Sequence, residues 1–234
     1  SAPLPAMRSR AETWRALEAR QHLLVIGGGI TGAGIAREAA LRGLRVALVE
    51  RGDLASGTSS RSSKLIHGGF RYLEQFQFDL VFESVSERRT LMEVVAPHLV
   101  APLPFLFPIY RNARVSMWKL RAGLFAYDAL AFFRAPAIHQ VLSDGAVRQV
   151  EPFLRSDGLR GAPLYYDCAT DDARLTLETA IDAAEHGANV CPWTEVIEVA
   201  HSLDGRVLGA RLRDRISGDM RTVEADVVVQ ATGP

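Results

Sequence analysis

The sequence predicts an α/β fold: a Rossmann-like, mostly parallel sheet with helices on both faces, a small antiparallel meander and part of a second layer. Two observations predict the sheet. Residues 23–26 (LLVI) and 226–230 (DVVVQ) are short apolar runs, as strands buried on both faces require. Between residues 27 and 49 a glycine-rich turn, a helical stretch and another apolar run follow in the order of a strand–helix–strand unit. A third observation, the turn-punctuated runs between residues 189 and 223, predicts the meander.

The turn carries the chemistry. Gly27, Gly29 and Gly32 form G-x-G-x-x-G at the junction of strand and helix. The first glycine permits the tight turn, the second lets backbone approach a pyrophosphate, and the third lets helix and strand pack closely. The helix that begins here points its free N–H groups and positive dipole end at the phosphates, and Gly28, Ile30 and Thr31 join the candidate cofactor contacts. Ala33, Ala36 and Ala40 continue a small face toward the sheet, and Gly43 ends the helix. The next strand, residues 45–49, ends in Glu50 and Arg51. A carboxylate at that point accepts from both hydroxyls of an adenosine ribose and repels a 2′-phosphate, which argues against NADP.

Composition bounds the rest. The chain has 234 residues, enough for one large or two modest domains, and its 27 basic and 27 acidic residues cancel. No global field therefore favours nucleic acid. Cys168 and Cys191 lie far apart with no metal-ligand spacing, so free thiols and no metal site are expected. No run is long enough to cross a bilayer as a helix. Residues 1–21 lack the apolar core of a signal peptide and read as a polar leader with a helical tail, Trp14 and Leu17 on one side. With Met7 inside that leader and Pro234 following a strand directly, the chain reads as part of a longer one.

Residues 51–76 form a polar loop in which Thr58, Ser59, Ser60, Ser62 and Ser63 precede Lys64, Leu65 and His67-Gly68-Gly69. Small donors suit a loop that wraps a diphosphate and then runs beneath a flat ring, with Gly68 letting backbone lie close. Taken alone, the stretch reads first as an ordinary serine-rich surface loop.

VIGGGITGAGIA, ASGTSSRSSKLIHGGFRYLE, YYDCATDDARL and VVVQATGP stand in this order. Over residues 23–234 the chain resembles the N-terminal portion of the FAD-dependent, quinone-linked glycerol-3-phosphate dehydrogenases. S-S-K-L-I-H-G-G-x-R-Y-L is the most specific run, with Phe70 where the family more often has an aliphatic residue. The resemblance implies FAD as cofactor and oxidation of sn-glycerol 3-phosphate to dihydroxyacetone phosphate, with quinone as electron acceptor. It implies that the strand near Val196 meets the adenine and that Ala231, Thr232 and Gly233 contact the dinucleotide. Arg71 is the candidate cation for the substrate phosphate, with Tyr72 adding a hydroxyl. His67 either takes part at the substrate oxygen as a catalytic residue or only holds its loop. The family's setting implies a cytoplasmic protein peripheral on the inner face of the cell membrane, and it admits a homodimer. Two alternatives stay open: an oxidase passing electrons to oxygen, and an isolated FAD-binding fragment without turnover.

The domain organisation expected is an FAD-binding domain of residues 22–100 and 172–234, with residues 101–171 inserted on the substrate side. Residues 78–99 have helical spacing (Leu80, Phe82, Val85, Leu91, Val94, Val95) before Pro97. Residues 102–110 suit an edge strand, because of their prolines. Residues 112–134 are basic and aromatic, so they either lie at a membrane interface or pack as a core helix. Residues 144–160 read as turns, residues 165–168 as a strand, and 172–185 as a helix capped by Asp171 that buries Leu175, Leu177, Ala180, Ile181 and Ala184.

Overall fold

The computed structural model describes residues 8–67, 77–111, 113, 118, 120–121, 123–125 and 139–234. The chain forms two compact units, Ser1–Ser63 with Asp172–Pro234, and Lys64–Asp171. Residues 64–100, expected with the first unit, fall in the second because their strands pair with its long strand.

In the first unit, β1 (Gln21–Ile26), α2 (Ile30–Leu41) and β2 (Val46–Val49) follow the short helix α1 (Arg10–Ala16). β1 is parallel to β2 on one side and to β11 (Met220–Gln230) on the other, and β2 is parallel to β8 (Asn189–Cys191). β9 (Thr194–His201) and β10 (Val207–Asp214) complete a six-stranded sheet of order β8-β2-β1-β11-β10-β9. The meander is thus no separate piece. Residues 220–230, which read as two strands, are one strand that changes partner: antiparallel to β10 as far as Glu224, parallel to β1 from Ala225.

Both faces of the sheet are covered. Ala33, Ala36, Ala39 and Ala40 of α2 pack on Val25, Val46 and Leu48, with Ala180 and Ala183 of α5 (Asp172–Glu185) beside them. Small side chains are what let two helices and a sheet approach so closely. On the opposite face Leu17 and Trp14, flanking the end of α1, join Leu24, Ala47, Val49, Leu212 and Val223. The expected buried face of α5 is corrected: Thr176, Ala180 and Ala183 are inside, whereas Leu177 is exposed. Thr176 is admissible there because its hydroxyl donates to the Asp172 carbonyl at 2.8 Å.

The second unit is organised by β7 (Leu159–Thr170), against which β3 (Leu65–Ile66), β4 (Val100–Leu106), β5 (Ile109–Tyr110) and β6 (Gln140–Leu142) all pair antiparallel. β4 carries Pro102 and Pro104 at the end of the strand order, where a missing N–H costs least. α3 (Phe78–Thr90) passes into one π-helical turn, Leu91–Val95. Its inward residues are Val81, Val85 and Arg88, while Leu80, Phe82, Val94 and Val95 are exposed, so the expected apolar face is displaced. Residues 144–150, read as turns, are a helix α4 (Asp144–Val150); the Ser143 side chain accepts from the Ala146 N–H and caps it. Residues 112 and 114–117, and the whole of 126–138, lie outside the described residues. Nearby, Leu124 is buried, and Trp118 and Phe125 are exposed. Among the described residues no helix is long and apolar enough to cross a membrane.

Candidate functional site

A cleft of about 1190 Å³ opens in the first unit at the carboxyl ends of β1, β2 and β11. Ligands bind at such strand ends in parallel α/β sheets. Its wall is made by Gly27, Gly29, Ile30, Thr31, Glu50, Arg51, Thr58, Ser59, Val196, Ala231, Thr232 and Gly233 from the sequence-predicted set. The turn is built by hydrogen bonds: the Gly27 N–H donates to the Val49 carbonyl at 2.8 Å, and the Ala231 N–H to the Ile26 carbonyl at 2.8 Å.

The three motif glycines have different reasons to lack a side chain. Gly27 has φ +115°, and a Cβ there would stand 2.4 Å from the Ala231 carbonyl oxygen. At Gly32 a Cβ would stand 1.9 Å from the Gly27 carbonyl oxygen, which fixes how closely the helix meets the turn. Gly29 has φ −79°, and a Cβ would meet only the Ser59 Oγ, at 3.4 Å. Neither backbone conformation nor packing demands glycine at that position. What the missing side chain keeps open is the cleft, at the first turn of α2, where no side chain caps Gly29.

Gly28 and Gly32 lie behind this wall rather than in it. The buried Gly28 donates its N–H to Glu50 Oε2 at 2.7 Å, and Gly52 donates to Glu50 Oε1 at 2.8 Å. The carboxylate is thereby oriented by backbone on both oxygens, and each oxygen keeps a further lone pair for a hydroxyl. The main chain beyond it is tied to the 191–194 turn: the Glu50 N–H donates to the Cys191 carbonyl at 3.1 Å, and the Thr194 N–H to the Glu50 carbonyl at 2.7 Å.

The serine loop reaches the start of α2. Its 3₁₀ turn, Thr58–Ser60, brings Ser59 to the helix, where the Ser59 Oγ accepts from the Ile30 N–H at 3.0 Å. Ser60 is absent from the cleft wall and donates instead to the Ala55 carbonyl at 2.6 Å, holding the loop's shape. Ser63 is exposed at the end of the first unit. Lys64, Leu65 and His67 belong to the second unit; the Lys64 carbonyl accepts from the Thr170 N–H at 3.0 Å, Leu65 pairs with Ala169, and His67 is exposed after β3. Gly68, Arg71 and Tyr72 lie outside the described residues.

Seven wall residues were not among the site residues expected from sequence: Ile26, Val49, Ser56, Gly57, Arg61, Glu195 and Pro234. Ile26 and Val49 are the last residues of strands already recognised, so strand-end position alone could have found them. Glu195 carried no local signal. Its carboxylate accepts from Arg213 at 2.5 Å, and that hydrogen bond, with the nearby Arg215 and Arg51 guanidinia, holds it below the usual carboxylate range. Both cysteines are buried, and burial pushes the Cys191 thiol up to about 11 and Cys168 upward as well, so neither is a reactive thiolate.

The Gly28 and Ile30 N–H groups are taken by Glu50 and Ser59, so what fits a dinucleotide is the positive end of α2, the oriented carboxylate and the side-chain-free position at Gly29. Known proteins agree with this geometry. The FAD dependent oxidoreductase (DAO) family model matches residues 22–234. A glycerol-3-phosphate dehydrogenase of Mycobacterium leprae is 46% identical over 231 residues, covering 97% of this chain and 38% of its own length. An alpha-glycerophosphate oxidase of Streptococcus pyogenes serotype M3 is 41% identical over 215 residues, covering 91% of this chain and 35% of its own. The crystal structure of the Bacillus halodurans glycerol-3-phosphate dehydrogenase complexed with FAD matches at 34% identity and TM-score 0.74, covering 96% of this chain and 37% of that one. The chain thus spans under two fifths of the length of these relatives. With nearly all of its residues matched by the family model, the chain belongs to the FAD dependent oxidoreductase family.

Proposed function

We propose that this chain is the FAD-binding portion of an enzyme that oxidises sn-glycerol 3-phosphate to dihydroxyacetone phosphate and passes the electrons to quinone. The observation that carries the reading is one cleft wall shared by the helix start at Gly29, the oriented Glu50 and the strand-end turn at Ala231-Thr232-Gly233. Glu50 receives the ribose hydroxyls, the first turn of α2 receives the diphosphate, and Val196 lies along the adenine. Bound flavin supplies the hydride acceptor for the secondary alcohol. Arg71 is the proposed cationic fork for the substrate phosphate and Tyr72 adds a hydroxyl, while His67 either acts at the substrate oxygen or only holds its loop.

The relatives named above include both a dehydrogenase and an oxidase, so oxygen is the second reading for the electron acceptor. Dye reduction by glycerol 3-phosphate with no peroxide formed supports the dehydrogenase, and stoichiometric peroxide supports the oxidase. Purified chain that holds FAD yet reduces no dye supports the third reading, a binding portion whose turnover needs the rest of a longer protein. Arg71→Ala is expected to raise the apparent constant for glycerol 3-phosphate with FAD retained; unchanged kinetics would remove Arg71 from the site.

A peripheral position on the inner face of the cell membrane belongs to the same proposal. The exposed Trp118 and Phe125 are the side chains to test it with. Liposome flotation unaffected by changing both to Ser would discard that role for them.

A further inference from the structure

The cleft wall holds as many cations as carboxylates, but the two carboxylates already have partners. Two carboxylates, Glu50 and Glu195, stand in its wall together with Arg51 and Arg61. Glu195 is held by Arg213, and Glu50 by two backbone N–H groups. Arg51 adjoins Glu50 in sequence, on the loop whose carbonyl oxygen at Arg51 accepts from Arg215. Arg61 comes from the serine loop. It is exposed, and among the described residues no carboxylate lies within ion-pair distance of it.

Its backbone is nonetheless fixed. The Arg61 N–H donates to the Thr58 carbonyl at 2.9 Å, closing the 3₁₀ turn whose Ser59 Oγ meets the Ile30 N–H. The turn therefore ties the backbone that carries Arg61 to the first residue of α2, and Arg61 lines the same cleft as Gly29 and Thr31. Backbone amides there offer only partial positive charge, whereas a diphosphate brings a full anion that a forked cation matches.

We propose that Arg61 is a binding residue for the diphosphate of the bound dinucleotide, supplying the charge that the amides of α2 lack. This rests on the dinucleotide reading of the cleft and adds to it a residue that discriminates phosphorylated from unphosphorylated adenosine. Arg61→Gln removes the cation from an exposed position, and Arg61→Lys restores charge without the fork.

The test is titration of the 234-residue chain and both variants with FAD and ADP, and with adenosine by competition against FAD, at low and high salt. Arg61→Gln is expected to weaken FAD and ADP by roughly tenfold or more, to leave adenosine unchanged and to flatten the salt dependence of ADP. Arg61→Lys is expected to recover much of the loss. ADP bound by Arg61→Gln as tightly as by the parent, or adenosine weakened as much as ADP, overturns the assignment. A parent chain that binds neither FAD nor ADP overturns instead the reading of the cleft on which it rests.

Discussion

The Gly28 N–H donates to Glu50 Oε2 across 2.7 Å, joining the glycine turn to the end of the neighbouring strand. The residue proposed to recognise the ribose therefore also locks the turn proposed to receive the phosphates. The two ends of the proposed nucleotide site are thus joined by one hydrogen bond. A Cβ on Gly28 would stand 2.8 Å from the Glu50 Cβ, so the pair leaves no slack.

Glu50→Gln should consequently act on both properties. The amide keeps the shape but turns one acceptor into a donor that faces a backbone N–H. Urea denaturation is expected to show a loss of about 1–2 kcal/mol, and FAD titration a weakening of roughly tenfold or more. Unchanged FAD affinity would separate Glu50 from the ribose.

Arg88 gives a prediction for the second unit. Its side chain is 1% exposed and donates to Asp167 Oδ1 at 2.6 Å and to the Tyr166 carbonyl at 3.2 Å. A buried guanidinium deprived of its carboxylate cannot shed its charge. Asp167→Ala is expected to cost about 3–5 kcal/mol of stability, measured by denaturation, with no direct effect on ADP binding. A loss within about 0.5 kcal/mol would mean that the pair carries little.

Asp214 gives one for pH. Burial raises its pKa, but the Arg10 guanidinium and the N–H groups of Ile216 and Ser217 outweigh it and hold the carboxyl below its ordinary 3.8. A carboxyl lowered in the native state stabilises the fold fully above its unfolded value. That contribution is lost as pH falls through the lowered native value. Arg10→Ala is expected to cost about 2 kcal/mol at neutral pH, the value of a charge-assisted hydrogen bond, and to flatten the acid side of the stability profile. A profile below pH 3.8 identical to the parent's would remove the pair as its cause.

Much of the first unit was legible because its signals are local. G-x-G-x-x-G, the alanine face of α2 and Glu50 at a strand end all lie within one strand–helix–strand unit. What was hidden depends on distant partners. Arg10 reaches Asp214 and the Pro192 carbonyl, so the stretch read as a leader is fastened to the turn beside Glu195. No window around Arg10 contains that information. Residues 220–230 were divided at the exposed Glu224, yet a strand that changes partners there needs no such break. An arginine ordinarily stays at the surface, so nothing local marks Arg88 as buried; its partner Asp167 lies 79 residues away. Ser60 shows the limit at the site itself: serine content marked the loop, but only its folding separates Ser59, at the helix, from Ser60, turned back on Ala55.

The central claim is that a dinucleotide rests at the start of α2, and the glycines there separate folding from binding. Gly32→Ala drives a Cβ into the Gly27 carbonyl and is expected to cost about 1–3 kcal/mol or more through overpacking. The Cβ of Gly29→Val would meet only the Ser59 Oγ, so circular dichroism should stay near the parent's, with melting lowered by no more than the loss of a favourable N-cap residue. The decisive measurement is the flavin bound to purified Gly29→Val beside the parent. The account predicts a yellow parent with stoichiometric FAD and a folded, colourless variant; a variant that retains FAD as tightly as the parent would contradict it.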